Sequence, residues 1–594
     1  MMRGGKRLIR FNLIDEPFIP VLGKDGAMHE VGLKEILIHA QNYADIGGEM
    51  ATQDVAVLRL LLAIVHTVFS RVDENGAEAP FEETEDAEDR WQNIWEKGCF
   101  PEKPLLQYLE KWHDRFWLFH PEYPFYQVPK VNGLTAENAL EKTGLAENSD
   151  KGPKTNATFT AAKLNGEIGE SGHKLRLFSP RTGSMKGRLT YAEAARWLLA
   201  LQAFDDASGK ESKESKAANT KTADESIGVG WLGKLSLVHA VGRNLFETLM
   251  LNCVFLRDGH TLFKEDRPVW EKPAVETRER HYIAIPDNFA ELLTVQSRRV
   301  LLVADQETVL GFTSCGGDYF TREGAINEQF TLWMFKKVPK GKVSLPIPQF
   351  QELPVQMWRE FSSLLIQSRT DTDADKSPAK VPGVVSWVEH LSNSLPLGMI
   401  SFRYTKIKYD SKNCSVVDCL SDNLSLSGDL LSELGYNYIQ RISAEIKSCE
   451  KAAQAVRHLG ENLFDAEGGD RGGKQYKANV MERLDAGSRA AERYYYALDL
   501  PFRGWLMNIS IKDNHEAFEK KILQFREMAL KEALRLGESM YEASSPAAFA
   551  GHWSGKGSGK EAGKNRHYSS AEAYLVFKNV VYSILGEHGK KGQK

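Results

Sequence analysis

Cysteine is scarce: six residues (Cys99, Cys253, Cys315, Cys414, Cys419 and Cys449) are scattered over a chain of 594. Such sparse spacing excludes a disulfide scaffold and points to reduced thiols, as in a cytoplasmic protein. Long apolar runs are missing as well. The longest, Val55 to Phe69, is interrupted by Arg59 and His66 and is too short and polar to span a bilayer, so no membrane is expected. The opening residues MMRGGKRLIRFNLIDEP are basic but lack the apolar stretch of a secretory signal. There is no excess of one charge either: 76 Lys and Arg against 80 Asp and Glu leave a formal charge of −4. That near-balance excludes a histone-like polycation, although it averages over any local patch. With 42% hydrophobic and 10% aromatic residues, wholesale disorder is excluded too.

Signatures of catalysis are equally thin. Gly228-Val-Gly230-Trp-Leu-Gly233 matches G-x-G-x-x-G, but polar loop precedes it where a dinucleotide site needs a strand, so a glycine-rich turn is expected. Gly468-Gly-Asp-Arg-Gly-Gly473-Lys474 imitates a phosphate-binding loop, yet Gln475 replaces the Ser or Thr that would hold magnesium. Cys414 and Cys419 have no second Cys/His pair nearby, and no C-x-x-C, H-E-x-x-H or G-x-S-x-G occurs. His120, His239 and His260 read as packed or surface histidines. The expectation is a protein without catalytic residues, metal or cofactor.

What is present is a change of pattern along the chain. Residues 8–22 read as a short strand and a proline-punctuated extension. A helix is predicted from Thr52 as cap, with Leu58, Leu61, Leu62, Val65 and Phe69 on its buried face. Nine acidic residues and no Lys or Arg between Asp73 and Asp89 predict a solvated loop, and 90–119 returns to aromatic-rich helix. Residues 144–174 and 205–227 predict long loops around a helix at 191–204, and 294–312 and 328–339 predict strands. After about Ser421 the apolar residues keep a 3/4 rhythm: Ile439, Ile442, Ile446, Cys449, Ala453 and Val456; then Phe518 to Met540; then Tyr574, Phe577, Val581 and Ile584 behind a Ser569-x-x-Glu572 capping box. With helix around 476–498, these patterns predict an α+β protein. A large mixed N-terminal domain (1–420) precedes a C-terminal four-helix bundle (421–594).

Charge is also unevenly placed. Residues 551–594 carry net +5, leaving −9 on the rest. Within GHWSGKGSGKEAGKNRH, Lys556, Lys560, Lys564 and Arg566 sit on a glycine-rich loop beside Trp553, a combination suited to a nucleic-acid backbone.

FNLIDEPFIPV (11–21), AEAARWLLALQAFD (192–205), GVGWLGKLSLVHAVGRNLFETLMLN (228–252) and LLTVQSRRVLLV (292–303) together resemble the CasA family, the large subunit of type I-E CRISPR Cascade surveillance complexes. The resemblance covers essentially the whole chain. It implies a non-catalytic subunit that reads the PAM, the short motif beside the target, in double-stranded DNA. It also implies help with strand separation and R-loop formation, a hold on the displaced strand, and recruitment of the signature helicase-nuclease. The implied partners are CRISPR RNA and the backbone, small and RNA-end-capping subunits.

Residue by residue, the family's N-x-x-F loop falls on Asn156 and Phe159, an aromatic suited either to stacking on a base or to anchoring the loop. The family's glycine loop falls near Lys221 to Ser226, where KTADES has no glycine. The lysine finger of some members falls on Gln329, which retains a donor for minor-groove acceptors. The glutamine wedge falls on Ile407–Lys408 in a hairpin, with Lys406 and Lys408 flanking to hold phosphates. Lys556, Lys560, Lys564 and Arg566 become candidates for the displaced strand. Arg298 and Arg299 point to opposite faces of a strand, so at most one faces DNA. A scaffold subunit that never reads DNA, and a nuclease or nucleotide-dependent enzyme, are the competing readings.

Overall fold

The computed structural model describes residues 2–3, 6–7, 10–147, 153–155, 157–170, 175–176, 178–207, 228–278, 280, 283–319, 326–335, 346–349, 356–366, 380–468, 476–553 and 567–586. The chain mixes helix and sheet and divides into two compact units. The first holds Met1–Val355, Gln367–Leu391 and Ser401–Asn423; the second holds Gln356–Ile366, Ser392–Ile400 and Leu424–Lys594.

In the first unit, β1 (Ile19–Gly23) pairs antiparallel with both β2 (Met28–Val31) and β3 (Tyr43–Ile46). Within residues 8–22, read as a short strand and an extension, the strand is at Ile19–Gly23 and residues 13–15 form a turn. Asn12 is buried, its carbonyl accepts from the Asp15 and Glu16 N–H groups, and its side chain accepts from the Ile14 N–H at 2.9 Å. A buried Asn that satisfies turn amides competes with extended pairing.

Next comes α1 (Ala51–Phe69), buried on every side. Met50, not Thr52, is the N-cap residue; the free amides of Gly48 and Glu49 are met by Asp54 Oδ1 (2.8 Å) and Gln53 Oε1 (3.2 Å) reaching back. Its length and mean hydropathy of 1.5 would suffice to cross a membrane, but it is buried in the protein and its Arg59 and His66 have protein partners. Arg59 pairs with Glu328 at 2.9 Å, and His66 pairs with Asp266. A helix whose charges are neutralised inside the protein is a core helix.

Helix α2 (Thr84–Lys97) starts inside the acidic stretch, which is therefore not all loop: Glu83 and Asp86 form a capping box, and carboxylates suit a helix N-terminus. The segment expected as loop at 144–174 contains β4 (Thr158–Thr160) and α3 (Ala161–Leu164). Helix α4 (Tyr191–Phe204) opens on a Thr190–Glu193 capping box. Strand β5 (Leu237–Val241) precedes the hairpin of β6 (Arg298–Ala304) and β7 (Val309–Gly316), and β7 pairs on its other edge with β4, Phe312 opposite Phe159. In a further three-stranded sheet, β8 (Met399–Tyr409) lies between β9 (Val416–Ser427) and β5.

In the second unit, α5 (Tyr436–Ala466) packs against α6 (Tyr476–Met507), α7 (His515–Glu542) and α8 (Ser570–Leu585), and α7 packs against α6 and α8. Ile442, Ile446, Val456, Ile522, Phe525, Ala529 and Val581 are buried, as the 3/4 rhythm requires. Helix α6 runs past the expected end at 498 and through Pro501, whose side chain is on the exposed face. Gly537 is fixed by packing: a Cβ there would lie 2.1 Å from the Phe577 ring. Buried Glu445 is shared by Arg441 and Arg526.

Candidate nucleic-acid interface

Residues singled out far apart in the chain meet in the first unit. Strand β4 lies against β7, and the Ala157 carbonyl, from a residue at φ 56°, accepts from the Ser314 N–H at 3.0 Å and the Thr313 hydroxyl at 3.2 Å. Phe159 is half-buried with its ring 5.2 Å from that of Phe312, which makes it an anchor of its segment rather than a free stacking platform. Asn156 lies outside the described residues. One turn further, Lys163 of α3 forms an ion pair with Asp206, and Asp205 pairs with Arg298 at 2.6 Å; all four side chains are at most 10% exposed.

Asp205 and Asp206 stand just before residues 208–227, which carry Lys221 and Ser226 and lie outside the described residues. The flanking residues are described. The Ala207 N–H donates to the Asn413 carbonyl at 2.7 Å, and the Gly230 N–H donates to the Asp205 carbonyl at 2.7 Å. Gly228 to Gly233 form the expected turn. A Cβ on Gly230 would lie 2.5 Å from the Ala203 carbonyl oxygen, and one on Gly233 the same distance from the Tyr409 hydroxyl. These glycines serve close backbone approach. Tyr409 donates to the Phe204 carbonyl at 2.5 Å, and burial beside Asp205 and Asp206 holds its hydroxyl well above the ordinary pKa.

Asn413 belongs to the turn joining β8 and β9. There Asp410 accepts from the Cys414 N–H at 2.7 Å and from the Ser415 hydroxyl at 3.0 Å. On β8, Lys408 is exposed, while Lys406 and Ile407 are buried. Ile407 lines a cavity of about 70 Å³ with Lys163, Trp197, Asp206 and Val416. This corrects two expectations: Ile407 is not displayed as a wedge, because an apolar cavity wall takes it, and Lys406 is not an outward phosphate ligand.

Gln329 is a third correction. It is fully buried; its Oε1 accepts from the Asp258 N–H and its Nε2 donates to the Asn327 carbonyl, both at 2.9 Å. Buried and bonded to backbone at both ends, this amide is out of reach of a minor groove. Arg298 and Arg299 are both 1% exposed, so neither faces solvent; Arg299 is tied to Asp318. Lys556, Lys560, Lys564 and Arg566 lie outside the described residues, between the paired segments His552–Trp553 and His567–Tyr568. Cys414 and Cys419 form no disulfide, and among the described residues no group of three or more His, Cys, Asp or Glu is placed to hold a metal. Sequence reasoning missed the Lys163–Asp206 and Asp205–Arg298 pairs. Their only sequence signal is adjacent charges at the ends of apolar segments, FDD and SRR.

The family profile described as CRISPR-associated protein Cse1 matches residues 12–536. The chain belongs to the Cse1 family. A relative from Thermus thermophilus, named CRISPR-associated protein CasA/Cse1, is 29% identical over 503 residues, covering 83% of this chain and 86% of the relative. The crystal structure of Thermobifida fusca Cse1 is similar with a TM-score of 0.72 at 24% identity, covering 97% of this chain and 98% of that one. A chain of a CRISPR RNA-guided surveillance complex is similar with a TM-score of 0.63 at 15% identity, covering 97% of this chain and 100% of its own. The Thermobifida fusca structure shows that this chain has the Cse1 fold.

Proposed function

We propose that this Cse1-family chain is the large, non-catalytic subunit of an RNA-guided CRISPR interference complex in the cytoplasm. It reads the PAM in target double-stranded DNA, assists strand separation and R-loop formation, holds the displaced strand and recruits the helicase-nuclease. Its partners are CRISPR RNA and the backbone, small and RNA-end-capping subunits, and it uses neither metal nor cofactor. The helices α5 to α8 act as a four-helix bundle. The observation that carries the reading is the meeting of three segments at Asp205 and Asp206: the strand after Asn156, the residues flanking 208–227, and the β8–β9 hairpin. Base pairing with a guide reads sequence, so the protein needs only a small surface for a short duplex motif. An exposed lysine on a hairpin edge supplies a phosphate contact, which sets register and adds salt dependence.

Lys408→Ala in the assembled complex is expected to weaken target-duplex binding and to lower the slope of log K against log salt by about one, with assembly intact. A gel-shift series at several salt concentrations with unchanged affinity and slope contradicts the assignment. The burial of Gln329 and Ile407 favours a second reading, a scaffold subunit without direct DNA reading. It predicts no loss from Lys408→Ala.

A further inference from the structure

Arg298 begins β6 and is 1% exposed. All five of its side-chain N–H groups are used. Nε donates to Asp205 Oδ2 at 2.6 Å; Nη1 donates to the Ser297 carbonyl at 3.0 Å and the Tyr319 hydroxyl at 3.2 Å. Nη2 donates to two carbonyls, Asp206 at 3.0 Å and Gly228 at 2.5 Å. One guanidinium therefore holds backbone and side chain on the N-terminal flank of 208–227 and backbone on its C-terminal flank. The backbone of Arg298 is itself fixed by Gln202, whose amide accepts from the Arg298 N–H at 2.9 Å and donates to the Arg298 carbonyl at 3.0 Å. The neighbouring Ser297 hydroxyl accepts from the Trp231 N–H at 2.8 Å.

A buried ion pair is a poor device for stability, because desolvation offsets most of its attraction. Its distinctive property is geometry: a planar fork with five directed donors fixes several acceptors at once, which a lysine ammonium cannot do. The acceptors here are the two flanks of one segment. Asp206 extends the network through its side chain to Lys163, and so to the segment led by β4.

We propose that Arg298 is a positioning residue: it clamps the two flanks of residues 208–227 together and holds them in register with the β4–α3 segment. The consequence for DNA rests on the reading above, that this face meets the PAM duplex. Arg298 touches no DNA and acts through the backbone of Asp206 and Gly228.

The test uses the full complex carrying Arg298→Lys, with Asp205→Asn as a milder second variant should Arg298→Lys fail to assemble. Hydrogen exchange of peptides containing Ala207, Gly230 and Trp231 reports the clamp directly. Exchange about tenfold faster at these amides, with peptides of α1 unchanged, is expected from the loss of charge-assisted hydrogen bonds. Unchanged exchange at these amides overturns the clamp, as does acceleration spread equally over α1. In parallel, affinity is measured for a fully paired target with its PAM and for the same target pre-opened without one. About tenfold loss on the first alone is expected. Equal loss on both contradicts a positioning role. If exchange accelerates while neither affinity changes, the clamp stands and the DNA reading of this face fails.

Discussion

Asp54 lies in the first turn of α1, where its Oδ1 accepts from the Gly48 N–H. Burial pushes its pKa up from 3.8 to about 7; the Gly48 bond and Arg403 oppose this, and the Asp45 and Glu49 carboxylates add to it. A carboxyl whose folded pKa lies above its unfolded one binds more protons in the native state. Its contribution is therefore fully present below about pH 4 and is lost as pH rises through about 7. Asp54→Asn keeps the acceptor for Gly48 and removes the titration. It is expected to raise Tm at pH 8, by roughly 1 °C for each kcal/mol relieved in a unit of this size, and to lose that advantage towards pH 4. Scanning calorimetry over that range checks it, and equal Tm differences at all pH values contradict it. Single residues were the least legible scale of this chain. Gln329 and Ile407 read as surface groups because nothing local reveals that a distant backbone amide or a cavity wall will take them. Strand alternation allowed one of Arg298 and Arg299 to face DNA, whereas both are buried and Arg298 takes its partners from Asp205, Asp206, Gly228 and Tyr319.

Between elements, the decisive contact is the addition of β4 to the edge of β7. A Cβ on Gly311 would lie 2.1 Å from the Phe159 carbonyl oxygen, so the two backbones meet as they do only because Gly311 has no side chain. Gly311→Ala is expected to cost about 1–3 kcal/mol and to release β4 from the sheet. Proteolysis in the 153–160 region should then accelerate more than cleavage elsewhere, and an unaltered digestion pattern contradicts this. The same pairing explains why the strand was hidden in the sequence. Three residues, TFT, carry no period, and their partner strand is distant in the chain, so the segment read as loop. The long helices α1 and α5 to α8 were visible for the opposite reason: their signal is local and repeats over many turns. Their ends were less so, since Met50 offers no capping side chain and Pro501 sits where α6 continues.

Across the whole molecule, a net charge of −4 conceals a basic C-terminal 551–594 and an acidic remainder. On the proposed reading, the net −9 outside 551–594 disfavours non-specific duplex binding, so contacts fall to local cationic positions. Alanine at Lys556, Lys560, Lys564 and Arg566 together is expected to expose the displaced strand to single-strand nuclease, with affinity for the PAM-bearing duplex falling less. Unchanged protection contradicts a role for these residues on the displaced strand. Mixed α+β architecture was legible from composition and periodicity; the reach of the second unit back to 356–366 and 392–400 was not, because short segments carry no mark of the unit they join. The proposed function makes this chain the source of an RNA-guided complex's sensitivity to the PAM. Its most direct test is equilibrium binding of the complex, with and without this subunit, to targets that differ only in the PAM. PAM discrimination is expected in the full complex and is expected to be lost without the subunit, while a pre-opened target binds both. Equal discrimination in the two complexes would contradict it.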